Sequence, residues 1–234
     1  MCSELKKVCK VYKENCLLSD FTTIKIGGRA KIIFFPKCVE ELKDLLTRCY
    51  QQGEKPFILG NGSNLLVSDG GYSEIIICTR RVDEIRFENN LLFATCGAKL
   101  PALSLECQKR GLAGLEFGCG IPATLGGAIK MNAGAYGSAI GNIVQSVTVF
   151  KDGDFYIEKP TFSYRKSTLT DECVVIGATL NLNRLDKDLI KEQMQRNALS
   201  RKSSQPSGYS AGSVFLSVSG VSAGYYIDQA GLKV

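Results

Sequence analysis

Apolar residues in this chain come in short runs closed by turn signals, and few stretches are long enough for a helix. Residues 32–35 stop at Pro36, 57–59 follow Pro56, and 75–78 form an unbroken apolar run. Residues 65–67 are a further run short enough to be a strand. Asn89-Asn90 separates Arg86-Phe87 from the apolar run 91–96, and Asp152-Gly153 separates 144–150 from 155–157. Such dipeptides tolerate positive φ, so both sites predict hairpins. Residues 174–182 alternate as a strand does. Helical spacing is confined to a few places. Val39, Leu42, Leu45, Leu46 and Cys49 define one helix that ends near Gly53. Pro101 opens a second, with Leu103 and Cys107 inside and Gly111 at its end. Residues 186–201 predict a polar helix with Ile190, Met194 and Ala198 on one face, and 203–212 a flexible loop. Residues 1–16 read as a charged amphipathic helix, with Cys2, Cys9 and Cys16 on one stripe. Many strands with few helices, and no regular alternation, predict an α+β fold rather than a doubly wound sheet. The polar shift near Leu185 suggests a boundary there. The expected organisation is an N-terminal helix over 1–18, a region of two α+β subdomains over 19–185, and a partial C-terminal α+β domain over 186–234.

The chain contains no histidine among its 234 residues. Ser-His-Asp and Cys-His nucleophile systems are thereby excluded within it, as are histidine-ligated metals. Ten cysteines are present without a single C-x-x-C pair, so no zinc-type thiolate cluster is expected and no metal is assigned. They read as reduced thiols of a reducing compartment. Net charge is +6, but Lys and Arg are scattered, with short pairs only at Lys6-Lys7, Arg80-Arg81 and Arg201-Lys202. That modest excess suits an anionic small molecule better than a nucleic acid. No apolar run approaches the ~20 residues of a membrane helix. A cytoplasmic protein without nucleic-acid or membrane partners is the expectation, and a cofactor that brings its own chemistry becomes attractive.

Four segments stand out. Gly60-Asn61-Gly62-Ser63-Asn64, followed by Leu65, lies between apolar runs. Small residues in series let several backbone N–H groups converge on one anion, a phosphate or pyrophosphate, although a plain tight turn has the same composition. It is not the Rossmann fingerprint, because Leu65 stands where the third glycine belongs. The stretch from Gly118 through Gly120, Ile121, Pro122, Thr124, Gly126 and Gly127 to Asn132, Ala133, Gly134 and Tyr136 is dense in small residues. Its backbone must approach another segment or a flat ligand closely. Tyr164-Arg165-Lys166-Ser167 offers a guanidinium fork suited to a carboxylate, or is merely a strand end. Ala211-Gly212-Ser213-Val214-Phe215 places a serine where it is either a proton donor or a turn residue.

In this order, the segments resemble the UDP-N-acetylenolpyruvoylglucosamine reductase family. The match includes Thr23-Ile24-Lys25-Ile26-Gly27-Gly28, the run 59–67, Gly114-Leu115-Glu116-Phe117, Gly120-Ile121-Pro122, Gly126-Gly127 and 131–137. It continues through 164–167, Gln205-Pro206, 211–215 and Ala230-Gly231-Leu232-Lys233, spanning about residues 21–234. The tight Tyr164-Arg165 pattern is similar to the shorter of the family's two types. The resemblance implies the FAD-binding fold shared with vanillyl-alcohol oxidase, plus a partial substrate domain. It implies FAD and NADPH as cofactors, and reduction of the enolpyruvyl group of UDP-N-acetylglucosamine enolpyruvate to UDP-N-acetylmuramate in peptidoglycan synthesis. By the same resemblance, Gly60, Asn61, Gly62, Ser63, Asn64 and Leu65 hold the FAD pyrophosphate. Gly120, Ile121, Pro122, Thr124, Gly126 and Gly127 line the flavin, and Asn132, Ala133, Gly134 and Tyr136 support it. Arg165 stabilises the charge that builds on the substrate, and Ser213 delivers the proton.

Three departures from the family pattern are visible. Leu216-Ser217-Val218 stand where Lys-Asn-Pro is usual, which puts the hold on the substrate diphosphate in question. Ala123 replaces a glycine and is expected to add a methyl group near the flavin phosphates. The family's catalytic glutamate belongs to a segment beyond Val234. The alternatives are therefore a truncated FAD-binding remnant with little turnover, or an oxidase of the same fold with FAD linked covalently, for which Cys119 is the candidate.

Overall fold

The computed structural model describes residues 2–205, 208–217 and 220–232. Two sheets share one large core. The first contains β1 (Tyr12–Leu17), β2 (Arg29–Phe34), β3 (Phe57–Leu59) and β4 (Tyr72–Cys78), in the order β1-β2-β4-β3. β2 and β3 both run parallel to β4, while β1 is antiparallel to β2. Parallel strands are covered on both faces and so read as continuous apolar runs. Accordingly Ile75 and Ile77 face the main core, and Ile76 and Cys78 face a smaller cluster with Leu18, Phe21, Ala30, Ile33 and Leu59. Helix α2 (Val39–Gln51) connects β2 to β3 and buries Leu42, Leu45, Leu46 and Cys49, the residues its spacing marked.

The second sheet is antiparallel throughout. Its strands are β5 (Ile85–Glu88), β6 (Leu91–Thr95), β7 (Val144–Lys151), β8 (Asp154–Glu158) and β9 (Val174–Asn181), in the order β8-β7-β9-β6-β5. Both anticipated hairpins form, with Asn89 at φ 54° and Asp152 at φ 50° carrying the left-handed turns. Helices α3 (Leu100–Lys109) and α4 (Leu125–Lys130) lie between β6 and β7 in sequence, so the glycine-dense segment is the crossover of this sheet.

Three local expectations change. Helix α1 covers only Cys2–Val8, and residues 12–17 are a strand. The open edge of β2 supplies backbone partners that outweigh local helix spacing, so Cys9 is buried in the main core while Cys16 lies on a strand against the smaller cluster. The Cys2-Cys9-Cys16 stripe is thus no helix face. Residues 65–67 form no strand, and Leu66 is 75% exposed. Helix α5 (Lys187–Ser204) runs into the segment expected to be a loop. Asp186 Oδ1 caps it by accepting from Asp188 N at 2.8 Å and Leu189 N at 3.3 Å, worth ~1 kcal/mol. The helix buries Ile190 as expected, but Asn197 rather than Ala198. Asn197 Nδ2 donates to Glu116 O at 3.1 Å, which docks α5 on the 116–120 turn. Helix α6 (Ala223–Gln229) follows. Cysteines 9, 49, 78, 96, 107 and 173 are buried free thiols, and burial pushes those of Cys96 and Cys107 up to about 12. Among the described residues, no helix is long and apolar enough to cross a membrane.

Candidate functional site

The 60–65 loop leaves the end of β3 beside a short turn, Thr79–Arg81, that leaves the end of the adjacent β4. Arg80 reaches from that turn into the loop. Its Nε donates to Gly60 O at 3.0 Å, and its Nη2 donates to Asn61 O at 3.0 Å and Phe21 O at 2.5 Å. Thr23 N donates to Gly62 O at 3.1 Å. Three successive carbonyls are therefore occupied from within the protein. The N–H groups of Asn61, Gly62, Ser63 and Asn64 have no acceptor among the described residues. Free amides on a loop of fixed shape can cradle an anion. The close packing behind it explains both glycines. A Cβ on Gly60 would lie 2.5 Å from Thr124 Oγ1, and one on Gly62, at φ +66°, only 2.1 Å from Phe21 O.

Asn61 joins the cradle to the second segment, because its Nδ2 donates to Pro122 O at 2.7 Å. That segment is stitched to residues 96–100, which lead from β6 into α3, through Leu100 N to Ala123 O at 3.0 Å, Leu125 N to Ala98 O at 2.8 Å and Gly126 N to Cys96 O at 2.9 Å. Ile121 and Ala123 pack against the main core, and buried Thr124 precedes α4 with its hydroxyl against Gly60. Gly126 is small for a protein reason, since a Cβ there would lie 3.0 Å from Cys96 Cβ. Gly127 is exposed, and among the described residues a Cβ on it would meet, beyond its own helix backbone, only Thr124 Oγ1 within 4 Å, at 3.7 Å. Of the two, Gly127 leaves open space beside the cradle.

Asn132 follows α4 at φ 41° and bridges two turns. Its Nδ2 donates to Ser163 O at 2.8 Å, and its Oδ1 accepts from Gly141 N at 3.0 Å. Ala133 is buried, Gly134-Ala135 pairs with Ser138-Ala139, and exposed Tyr136 turns the chain at φ 57°. Ser163 belongs to a small hairpin, Phe162-Ser163 paired with Lys166-Ser167, whose tip is Tyr164-Arg165. Arg165 occupies the left-handed region at φ 57°, with its guanidinium 5.8 Å from the Tyr164 ring centre. Arg165, Tyr164, Asn132, Gly134 and Gly137 line one cavity of about 310 Å³.

Ser213 is exposed on a strap over residues 208–217. At one end of the strap, Ser210 O accepts from Thr23 Oγ1 at 2.6 Å, beside the cradle. Towards the other, Ser217 Oγ is 2.9 Å from the Tyr164 hydroxyl, which holds that phenol below its usual range. The strap therefore spans from the cradle to the Arg165 hairpin, with Ser213 between its two moorings. Pro206, Val218 and Lys233, which the sequence motifs include, lie outside the described residues.

Sequence reading missed Arg80, which registered only as half of a basic pair. No spacing rule marks a residue whose partners are carbonyls 59, 20 and 19 positions away. Losing a charge-assisted hydrogen bond costs about 1.5–3 kcal/mol. With the FAD diphosphate as the anion that the family resemblance implies, Arg80→Ala should weaken FAD binding by roughly tenfold or more in a fluorescence titration of the apoprotein. An unchanged dissociation constant would remove Arg80 from the cradle. Cys119 is turned to α5, with its thiol 3.7 Å from Met194 O, so a structural partner occupies the residue considered for covalent attachment.

Known proteins give consistent matches. Residues 30–155 fit a family model described as an FAD binding domain. The UDP-N-acetylenolpyruvoylglucosamine reductase of Caldicellulosiruptor bescii is 40% identical over 224 residues, covering 92% of this chain and 71% of its own. The crystal structure of the reductase of that name from Thermus caldophilus superposes with a TM-score of 0.82 at 36% identity, over 95% of this chain and 82% of its own. A cholesterol oxidase from Brevibacterium sterolicum shares the fold alone, with a TM-score of 0.55 at 15% identity over 74% of this chain and 38% of its own. The architecture is the α+β FAD-binding fold of the vanillyl-alcohol oxidase type.

Proposed function

The chain belongs to the UDP-N-acetylenolpyruvoylglucosamine reductase family, and from that membership we propose how its residues divide the labour of the reaction. The family's activity is the FAD- and NADPH-dependent reduction of the enolpyruvyl group of UDP-N-acetylglucosamine enolpyruvate, a step of peptidoglycan synthesis. When bound, FAD would supply the hydride chemistry that links NADPH oxidation to reduction of the enolpyruvyl group.

The protein supplies positioning and charge. The amides of Asn61, Gly62, Ser63 and Asn64 hold the FAD diphosphate, with Gly60 and Leu65 at the two ends of the loop. Residues Gly120, Ile121, Pro122, Thr124, Gly126 and Gly127 form the wall along the flavin, and Asn132, Ala133, Gly134 and Tyr136 form its support. The single observation that carries this assignment is the set of amides without an acceptor among the described residues, on a loop whose carbonyls are held by Arg80 and Thr23. Negative charge develops on the substrate carbon next to the carboxylate and on the carboxylate itself. Arg165, which lines the cavity beside Asn132, stabilises that charge. The Ser213 O–H bond then breaks, its proton forms the new C–H bond, and solvent returns a proton to the serine oxygen. A hydroxyl is a weak acid, and it is adequate here because its acceptor is a strongly basic carbon. Residues 186–234 contribute the substrate side of the site. The reaction runs in the cytoplasm and requires neither nucleic acid nor membrane.

The test is NADPH oxidation by purified, FAD-loaded protein with and without the enolpyruvyl sugar nucleotide. Substrate-dependent oxidation with formation of UDP-N-acetylmuramate is expected. Retained flavin without that dependence would overturn the assignment of activity to this chain.

A further inference from the structure

Lys130 is a cation held mainly by backbone carbonyls. At the C-terminal end of α4, its Nζ donates to Leu169 O at 3.5 Å, to Cys173 O at 3.4 Å and, more closely, to Thr170 O. Its nearby carboxylate, Asp171, is 3.8 Å away and fully exposed, so solvent screens that pair. All three carbonyls belong to the loop that joins the Arg165 hairpin to β9. The backbone of the same lysine holds the hairpin itself, because Ser167 Oγ donates to Lys130 O at 3.1 Å. Two residues on, Asn132 grips the other arm at Ser163 O. Both arms of the hairpin are thus anchored to the end of α4, where the flavin wall ends. Arg165 stands at the tip, and among the described residues no carboxylate pairs with it. Its aim is set by the hairpin.

We propose that Lys130 is a positioning residue for Arg165, acting as a built-in monovalent cation whose carbonyl nest ties the 169–173 loop, which continues directly from the hairpin, to α4. This rests on the role assigned to Arg165 above. Truncating the side chain leaves three convergent carbonyl oxygens, the donor type that replaces the hydration shell of a potassium-sized ion. A soluble cation should then substitute for the missing ammonium.

The experiment uses Lys130→Ala in the FAD-loaded protein, in tetramethylammonium buffer with and without ammonium or potassium. Misplacement by an ångström costs up to about 10²-fold in rate. The step that depends on the enolpyruvyl sugar nucleotide should therefore slow by roughly tenfold or more, while NADPH-dependent loss of flavin absorbance stays within about twofold. Ammonium should restore the slow step with saturation, beyond any response of the parent protein in the same buffers. Lys130→Met, which fills the nest with an uncharged chain, should show the loss without rescue, and full activity in that variant would overturn the proposal. Amide hydrogen exchange over residues 162–167 reads the hairpin without substrate. It should accelerate in Lys130→Ala and be slowed again by ammonium. Unchanged exchange, or a loss that no small cation reverses, would overturn the role of Lys130. Cation-reversible exchange in a protein whose parent form shows no substrate-dependent oxidation would instead sink the functional assignment and leave the nest standing.

Discussion

Gly62→Ala should yield a folded protein that purifies without flavin. The residue sits at φ +66°, where a side chain costs about 1–2 kcal/mol. The larger penalty is steric, because the new Cβ would lie 2.1 Å from Phe21 O and 3.0 Å from Thr22 Cα. Both neighbours are backbone, so no rotamer change relieves the contact. The loop or the Phe21 turn must move, and Phe21 O is also an acceptor for Arg80. One methyl group thus disturbs the bracket that shapes the loop carrying the amides of residues 61–64. A loss of ~3 kcal/mol corresponds to about 10²-fold weaker FAD binding. Isothermal titration of the apoprotein measures it directly. Gly53→Ala is the control, since Gly53 has a similar φ of +71° with nothing within 4 Å of a Cβ. It should lose a little stability and keep full affinity. If Gly62→Ala binds FAD as the parent does, the amides of this loop do not hold the diphosphate.

Arg165→Ala and Ser213→Ala should each separate the two halves of the catalytic cycle. Neither side chain is buried, and the strap and hairpin are held by Thr23, Ser217, Asn132 and Ser167 rather than by these two groups. The variants should therefore fold, bind FAD and react with NADPH nearly as the parent does. Removing one preorganised stabilising group costs about 10²–10³-fold in rate. That loss should fall on the step that consumes the enolpyruvyl sugar nucleotide, followed by stopped-flow absorbance after anaerobic reduction. Arg165→Lys should recover only part of it, because an ammonium lacks the planar fork that meets a carboxylate with two bonds. Equal slowing of both halves by Ser213→Ala would count against its role as proton donor. An unchanged second half in Arg165→Ala would take that residue out of the site.

The change of Ala123 from the usual glycine is accommodated locally. Its methyl packs against the main core, while its carbonyl still accepts from Leu100 N at 3.0 Å. Ser217, one of the substituted positions of the strap, does have a partner, the Tyr164 hydroxyl. It moors the strap to the hairpin that carries Arg165.

Much of this protein was legible residue by residue. The α+β class, both hairpins, helix α2 and the ordered glycine motifs follow from local preferences, because turn chemistry and apolar spacing act within a few positions. The ordered motifs also pointed to the cofactor and the reaction. Where sequence reading failed, distant partners decided. Residues 12–17 became a strand because β2 offered an open edge, and Asn197 displaced Ala198 from the buried face of α5 because a carbonyl at Glu116 awaited it. Arg80 and Lys130 gained their roles from carbonyls brought to them by loops far along the chain. A cation's preference for backbone oxygens leaves no period or spacing in a sequence. Only the folded chain determines which carbonyls converge on it, and therefore which loops it holds in place.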